Sequence, residues 1–199
     1  MPQSLNLTDY IKVYKALTPE LCQKILKVTE TTTWRPHYWH NAYGGVNLND
    51  KRKRKELADT TERFTQGIEV CNLDVMLESS VMHELSRAMS LYSYNVSPKL
   101  DNKPVRLISG FNSVRVNRYH EGVSMAKHND HSFDKEHPLM TVIVLLNDEF
   151  EGGELILLDD YEVKLKVGEA CYFPSNFMFP HEVKPVTKGT RYTLATWAW

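Results

Sequence analysis

Cysteine is scarce in this chain of 199 residues: Cys22, Cys71 and Cys171 stand far apart, with no Cys-x-x-Cys pair. A disulfide framework and a thiolate zinc site are therefore not expected. A reducing compartment is the default reading, the cytoplasm of a bacterial cell or of a virus-infected host cell. A basic start followed by an apolar run is also missing from Met1-Pro2-Gln3-Ser4-Leu5-Asn6, so no signal peptide is expected. The longest strongly apolar stretch, Val142-Ile143-Val144-Leu145-Leu146, is far too short to cross a bilayer, and no membrane association is expected. Nor is there an excess of one charge. The formal net charge of −1 leaves no overall field to gather nucleic acid or anionic lipid. Repeats and low-complexity linkers are lacking. The composition, 42% hydrophobic and 25% charged, is that of an ordinary globular chain, read as one domain over 1–199.

Hydrophobic patterning divides the chain into a helical front and a strand-rich back. Residues 11–14 alternate as a short strand. Thr18-Pro19 offers a capping hydroxyl and a proline for the first helical position, and Leu21, Cys22, Ile25, Leu26 and Val28 continue at helical spacing. A second helix is predicted over 59–70 and a third over 75–91, where Leu77, Val81, Leu85 and Met89 form a stripe facing a core. From residue 105 the period becomes two: residues 105–111 and 114–116 alternate, and 141–146 is an apolar β-branched run. Further strands are predicted over 155–158, 163–167, 170–173 and 191–199, with Gly152-Gly153 and Val167-Gly168-Glu169 as turns. Short strands without intervening helices predict an antiparallel sandwich or barrel over 105–199, buttressed by the strand and helices of 1–104.

Within that back half, His128-Asn129-Asp130 places an imidazole and a carboxylate two residues apart. In extended chain such residues share a face and can reach one metal ion. His181, in Phe179-Pro180-His181-Glu182-Val183, is the candidate third ligand. Two imidazoles and one carboxylate on one face leave three octahedral positions open, the arrangement suited to non-haem Fe(II) that must also hold a cosubstrate and O₂. Arg191 follows ten positions after His181 and shares a strand face with Thr193, Ala195 and Trp197. Pointing inward, its guanidinium would need an anion, and a small dicarboxylate matches its fork.

Residues 105–199 resemble the iron(II)/2-oxoglutarate-dependent oxygenase superfamily, in particular its prolyl-4-hydroxylase-like branch and the PKHD-type hydroxylases. The resemblance is carried by Asn117-Arg118-Tyr119-His120-Glu121-Gly122, by His128-x-Asp130, and by Phe150-Glu151-Gly152-Gly153-Glu154-Leu155. It continues through the stretch from His181 to Arg191 and ends at Trp197. It implies an α+β, mainly β fold: a double-stranded β-helix, or cupin-like jelly roll. It also implies Fe(II) on His128, Asp130 and His181, with Arg191 and Tyr119 on the distal carboxylate of 2-oxoglutarate. Thr193, Trp197 and Asn117 would line the cosubstrate and substrate pocket. The cosubstrates would be 2-oxoglutarate and O₂, with ascorbate as an accessory reductant. A protein or peptide is the implied substrate, with peptidyl proline the best guess. Two alternatives stand beside it: demethylation of an alkylated nucleobase on the same iron, and a non-catalytic cupin-like binding domain. The arginine that prolyl-hydroxylase relatives carry on the strand before the Gly-Gly-Glu turn has no counterpart between His131 and Gly152.

Other features have plain readings. Lys51-Arg52-Lys53-Arg54-Lys55 is a solvated cationic run, with phosphate contact as the minority reading. Trp34-Arg35-Pro36-His37-Tyr38-Trp39-His40 is either a lid hinged at Gly44-Gly45 or an aromatic seal between the helices and the barrel. His131 and His137 are neighbours of the metal segment or surface residues. His83 and His120 are structural, and Cys171 is a small buried apolar group.

Overall fold

The computed structural model describes residues 6–37, 67–96, 98, 110–112, 114–131 and 138–199. A single 3-10 turn, Leu7–Tyr10, precedes β1 (Lys12–Lys15), α1 (Pro19–Thr29), β2 (Arg35–Pro36), β3 (Glu69–Asn72) and α2 (Val75–Val96). Ten strands follow. They are β4 (Arg115–Tyr119), β5 (Met125–His128), β6 (Met140–Leu145), β7 (Phe150–Gly152) and β8 (Leu155–Leu157). Then come β9 (Tyr161–Val163), β10 (Glu169–Pro174), β11 (His181–Val183), β12 (Val186–Gly189) and β13 (Arg191–Ala198).

Helix α1 starts where expected: the Thr18 hydroxyl accepts from the Leu21 amide at 3.2 Å and Pro19 fills the first turn. Helix α2 buries Leu77, Val81, Leu85 and Met89, and the stripe runs on through Tyr92 and Val96, five residues beyond the predicted end. Glu78 of α2 accepts from the Val114 amide at 2.8 Å and so pins the approach to β4.

Seven strands form one antiparallel sheet in the order β1-β10-β6-β13-β4-β3-β2. A four-stranded sheet, β5-β11-β8-β9, and the pair β12-β7 complete the β structure. Alternate residues of the large sheet enter two different cores. Met140, Val142 and Val144 of β6, Ala170 and Tyr172 of β10 and Leu194 of β13 pack with Cys22, Ile25 and the α2 stripe. Cys171 and Phe173 of β10, Val70 and Tyr119 face Leu155, Leu157, Val183 and Met125 of the small sheet. Burial on both faces explains why 141–146 reads as an unbroken apolar run rather than an alternating one. Two sheets closing on a shared interior form the double-stranded β-helix the sequence resemblance implies. Among the described residues no helix is long and apolar enough to cross a membrane.

Some expectations are corrected. Residues 69–72 are strand, not the end of a helix over 59–70, because Val70 and Cys71 are buried on opposite faces of a sheet position between β2 and β4. The rest of that predicted helix, residues 59–66, lies outside the described residues, as do 105–109 and the cationic run 51–55. The strand predicted over 163–167 is instead β9 at 161–163. Its partner β8 offers three residues, and the chain leaves the sheet edge when they are used. His120, read as structural, meets Glu69 Oε2 at 3.1 Å and Thr190 Oγ1 at 3.3 Å. Trp34 stacks under the Arg118 guanidinium at 4.1 Å, lies 6.1 Å from Tyr192, and donates to the Thr29 carbonyl at 3.2 Å. That residue seals; residues 38–45 of the aromatic segment and its hinge lie outside the described residues.

Candidate metal centre

Antiparallel pairing sets His181, at the start of β11, opposite His128, at the end of β5. Cross-strand partners share a face, and the two rings lie 4.2 Å apart between centroids. Asp130, two residues past the end of β5, swings its carboxylate between them. His128 Nε2 is 3.6 Å from Oδ1 and His181 Nε2 is 3.7 Å from Oδ2. These separations are too long for hydrogen bonds. They suit atoms sharing one ion at about 2 Å from each. Among the described residues this is the one cluster of three metal-ligating side chains, its ligand atoms all within 4.8 Å of one another.

The groups behind the ligands are arranged for that task. His128 Nδ1 meets the Ala126 carbonyl at 2.8 Å and His181 Nδ1 meets the Phe179 carbonyl at 3.2 Å. A carbonyl only accepts, so each Nδ1 carries the hydrogen and each Nε2 keeps its lone pair for the interior. Phe173 meets the His181 ring edge-on at 4.9 Å. Asp130 Oδ2 accepts from Thr141 Oγ1 at 2.6 Å and from the Trp197 indole at 2.9 Å, and Thr141 is backed by Ser175 Oγ at 2.9 Å. Burial works to raise the Asp130 carboxyl, but the two imidazoles and the two donors outweigh it and hold it below the ordinary range. Burial, then the neighbouring His181, brings the His128 imidazole down to about 4. Both shifts favour the protonation states that bind a cation.

Register carries the second part of the site. Arg191 pairs with Tyr119, and Thr193 with Asn117, across β13 and β4. Arg191 is only 2% exposed, its Cζ lies 5.2 Å from the Tyr119 ring centroid, and its Nη1 finds no hydrogen-bond partner among the described residues. Tyr119 is a hydrogen-bond partner of Arg191, but the unpaired Nη1 of a buried guanidinium is still costly, and an anion entering the site would relieve it. Beside it, Gly153 has a φ of +66°, and a Cβ there would stand 2.8 Å from Arg191 Cδ. The glycine makes room for the arginine. Asn117 Oδ1 is likewise buried without a partner, Thr193 is buried and Trp197 half-buried.

The structure thus brings together His128, Asp130, His181, Trp197, Arg191, Tyr119, Thr193 and Asn117 on the interior of the β-helix. His131 lies outside this interior: it is exposed, its amide donating to Asn129 Oδ1 at 3.1 Å. His137 lies outside the described residues. Thr141, Ser175 and Arg115 belong to the site but were not singled out from sequence. Thr141 is hidden in an apolar run, and Arg115 between Val114 and Val116, whose shared face points at the helices. The period-two rule that put those valines in one core assigns Arg115 to the other side.

The donor set, two imidazoles and a carboxylate with an anion-seeking arginine alongside, fits Fe(II) and a keto acid dianion. Residues 114–199, somewhat less than half of the chain, match the family model described as the 2OG-Fe(II) oxygenase superfamily. A PKHD-type hydroxylase of Delftia acidovorans is 36% identical over 95 residues, 42% of this chain and 41% of the relative. One from Cupriavidus metallidurans is 25% identical over 202 residues, 94% of this chain and 77% of the relative. The match thus spans well under half the length of the Delftia relative. Two solved structures share the fold. A prolyl-4-hydroxylase of Pseudomonas putida has a TM-score of 0.61 at 17% identity, covering 95% of this chain and 91% of its own. The prolyl hydroxylase of Trichoplax adhaerens, solved with a hypoxia-inducible-factor degradation-domain peptide, has a TM-score of 0.66 at 19% identity, covering 96% and 84%.

Proposed function

We propose that the chain is an Fe(II)- and 2-oxoglutarate-dependent hydroxylase of a protein or peptide side chain, with peptidyl proline as the target. His128, Asp130 and His181 hold Fe(II). Arg191 and Tyr119 hold the distal carboxylate of 2-oxoglutarate, and Thr193, Asn117 and Trp197 line the pocket. The observation that carries this reading is the pairing of a largely buried His-Asp-His cluster with a buried Arg191, whose Nη1 has no partner, on the same interior. When bound, iron, 2-oxoglutarate and O₂ supply the oxidation, in which the keto acid becomes succinate and CO₂ while one oxygen enters a substrate C–H bond. The protein's own contribution is positional. Trp197 and Thr141 aim one carboxylate oxygen, backbone carbonyls aim two imidazoles, and the apolar walls from Phe173, Leu157 and Val183 keep water out. Exposed Leu139, Phe177 and Met178, on segments leading to Thr141 and His181, offer an apolar surface for a prolyl ring. The prolyl hydroxylases that share this fold, one of them solved with a peptide fragment, support this substrate class over an alkylated base. Three buried free thiols and the lack of a membrane-spanning helix among the described residues support placing the reaction in the cytoplasm.

The test is incubation with Fe(II), ascorbate, 2-oxoglutarate and proline-containing peptides, read by mass spectrometry as a gain of one oxygen together with succinate release. Succinate release without any peptide oxidation across a broad proline-peptide set would sink the substrate. Failure to consume 2-oxoglutarate at all would sink the chemistry.

A further inference from the structure

Arg115 is a cation that the proposed reaction, as set out above, does not use. Its guanidinium carbon lies 4.3 Å from the centroid of the Trp197 ring, whose indole nitrogen is 2.9 Å from Asp130 Oδ2. One indole therefore separates a guanidinium from a metal ligand. Its Nε is buried without a hydrogen-bond partner, and among the described residues no carboxylate forms an ion pair with it. The nearest carboxylate along this path, Asp130, already serves Thr141 and Trp197. Arg115 pairs with Asn72 across β4 and β3, and Asn72 Oδ1 accepts from Arg35 Nη2 at 3.2 Å. Two arginines with an amide between them thus line one stretch of sheet face, ending beside the metal cluster.

Charge counting shows what is missing. A ferrous ion, the Asp130 carboxylate, dianionic 2-oxoglutarate and the Arg191 cation cancel one another. Arg115 is left over. Burial lowers its pKa to about 10, so it remains a cation at neutral pH. A half-buried cation facing a reaction site, with its Nε desolvated, is stabilised when an anion arrives with the substrate.

We infer that Arg115, assisted by Arg35, grips a carboxylate of the substrate next to the carbon that is oxidised. The inference rests on the hydroxylase reading above and makes it more specific: the target residue has an acidic side chain as an immediate neighbour, or carries a free α-carboxylate. Arg115 is in this view a specificity-determining residue. Trp197 holds the guanidinium plane, and the forked donors meet two carboxylate oxygens.

The experiment uses the full chain loaded with Fe(II) and 2-oxoglutarate under nitrogen, so that nothing turns over. Binding is read by fluorescence anisotropy with dye-labelled peptides. One set has proline flanked by glutamate, a matched set has glutamine instead, and a third ends in proline with its carboxylate free or amidated. A charge-assisted bidentate contact predicts about 10- to 100-fold tighter binding of the acidic member of a pair. In Arg115→Met that ratio should fall to within about 2-fold, and Arg115→Lys should restore part of it as a point charge. Preference for glutamate assigns the grip to a side chain; preference for the free C-terminus assigns it to an α-carboxylate. Equal binding of acid and amide members by the wild-type protein, binding of neither, or an unchanged ratio in Arg115→Met overturns the inference. So does tighter binding of a methylated single-stranded DNA oligonucleotide than of every peptide. The wild-type comparison decides the matter even where a variant folds poorly. Aerobic 2-oxoglutarate consumption by the wild-type protein separates the two levels: its absence removes the hydroxylase reading, whereas its presence without acid preference removes this inference alone.

Discussion

Substituting Gly153 by alanine should weaken 2-oxoglutarate binding while leaving a folded protein. At φ +66° an L-residue pays a left-handed penalty of about 1 kcal/mol or slightly more. The added Cβ would lie 2.8 Å from Arg191 Cδ and 3.1 Å from Val186 Cγ2. Carbon pairs settle at about 3.5–4.0 Å, so Arg191 must retreat by roughly 0.7 Å or more. It sits in a packed interior, and the displacement passes to the guanidinium. Loss of one of two charge-assisted hydrogen bonds to the distal carboxylate removes about 1.5–3 kcal/mol, a rise in KM for 2-oxoglutarate of roughly 10- to 150-fold. Strain and overpacking together cost about 2–4 kcal/mol, a fall in Tm of about 4–16 °C for a chain of this size. Gly152 supplies the control. Its φ of +75° is similar, but a Cβ there meets the Pro185 carbonyl oxygen at 2.5 Å and the Thr187 amide at 2.9 Å, both backbone. Backbone cannot step aside, so Gly152→Ala should lower Tm further with no selective change in KM. The assay is succinate formation against 2-oxoglutarate concentration, with calorimetry on the same samples. A folded Gly153→Ala protein with wild-type KM would refute the steric route from this turn to the cosubstrate.

Trp197→Phe removes the 2.9 Å indole bond to Asp130 Oδ2 while Thr141 still donates, and Fe(II) affinity measured by equilibrium dialysis should drop about 10- to 100-fold; unchanged affinity would mean that Thr141 alone orients the carboxylate. In the metal-free protein the His128 ring should titrate near 4 by proton NMR, and a midpoint at 6.5 or above would contradict the burial argument. The sign for stability follows: between about 4 and 6.5 the unfolded chain binds a proton that the folded chain refuses. The His128 contribution to the stability of the metal-free protein should therefore fall as pH falls through that window, lowering the urea midpoint. Burial pushes the Cys22 and Cys71 thiols up to about 11 and raises Cys171 as well. All three should resist iodoacetamide at pH 7.5 until the fold is opened by denaturant; rapid labelling of the native protein would argue against the packed cores.

Much of the architecture was legible because its residues obey simple periods. The α2 stripe, the Thr18 cap and the runs that became β6, β10 and β13 each carry a pattern longer than one turn or three strand residues. The clustering of the candidate ligands was legible for the same reason: His128 and Asp130 stand two apart next to a strand, and Arg191 shares the phase of Thr193 and Trp197. Strands β5, β7, β11 and β12 escaped notice because at least half of their three or four residues are polar or glycine, which leaves no apolar alternation to count. They are short where the small sheet and the β7–β12 pair bend, and β5 and β11 carry both histidines. Residues 69–72 deceived for the opposite reason: adjacent Val70 and Cys71 face different cores, so both are apolar and the period of two vanishes. Thr141, within such a run, gave no sign that its hydroxyl serves Asp130.

Strand β13 joins Arg191 at one end to Trp197 near the other, held by β4 over 191–195 and by β6 over 193–198. The reach from the proposed cosubstrate anchor to the indole that donates to Asp130 is thus fixed by the pleat itself, like marks on a ruler, and no loop length enters it. Shifting that strand by one residue against its neighbours would turn both groups toward the helices in a single move. The spacing of the two groups stays where the hydrogen-bond ladder holds it.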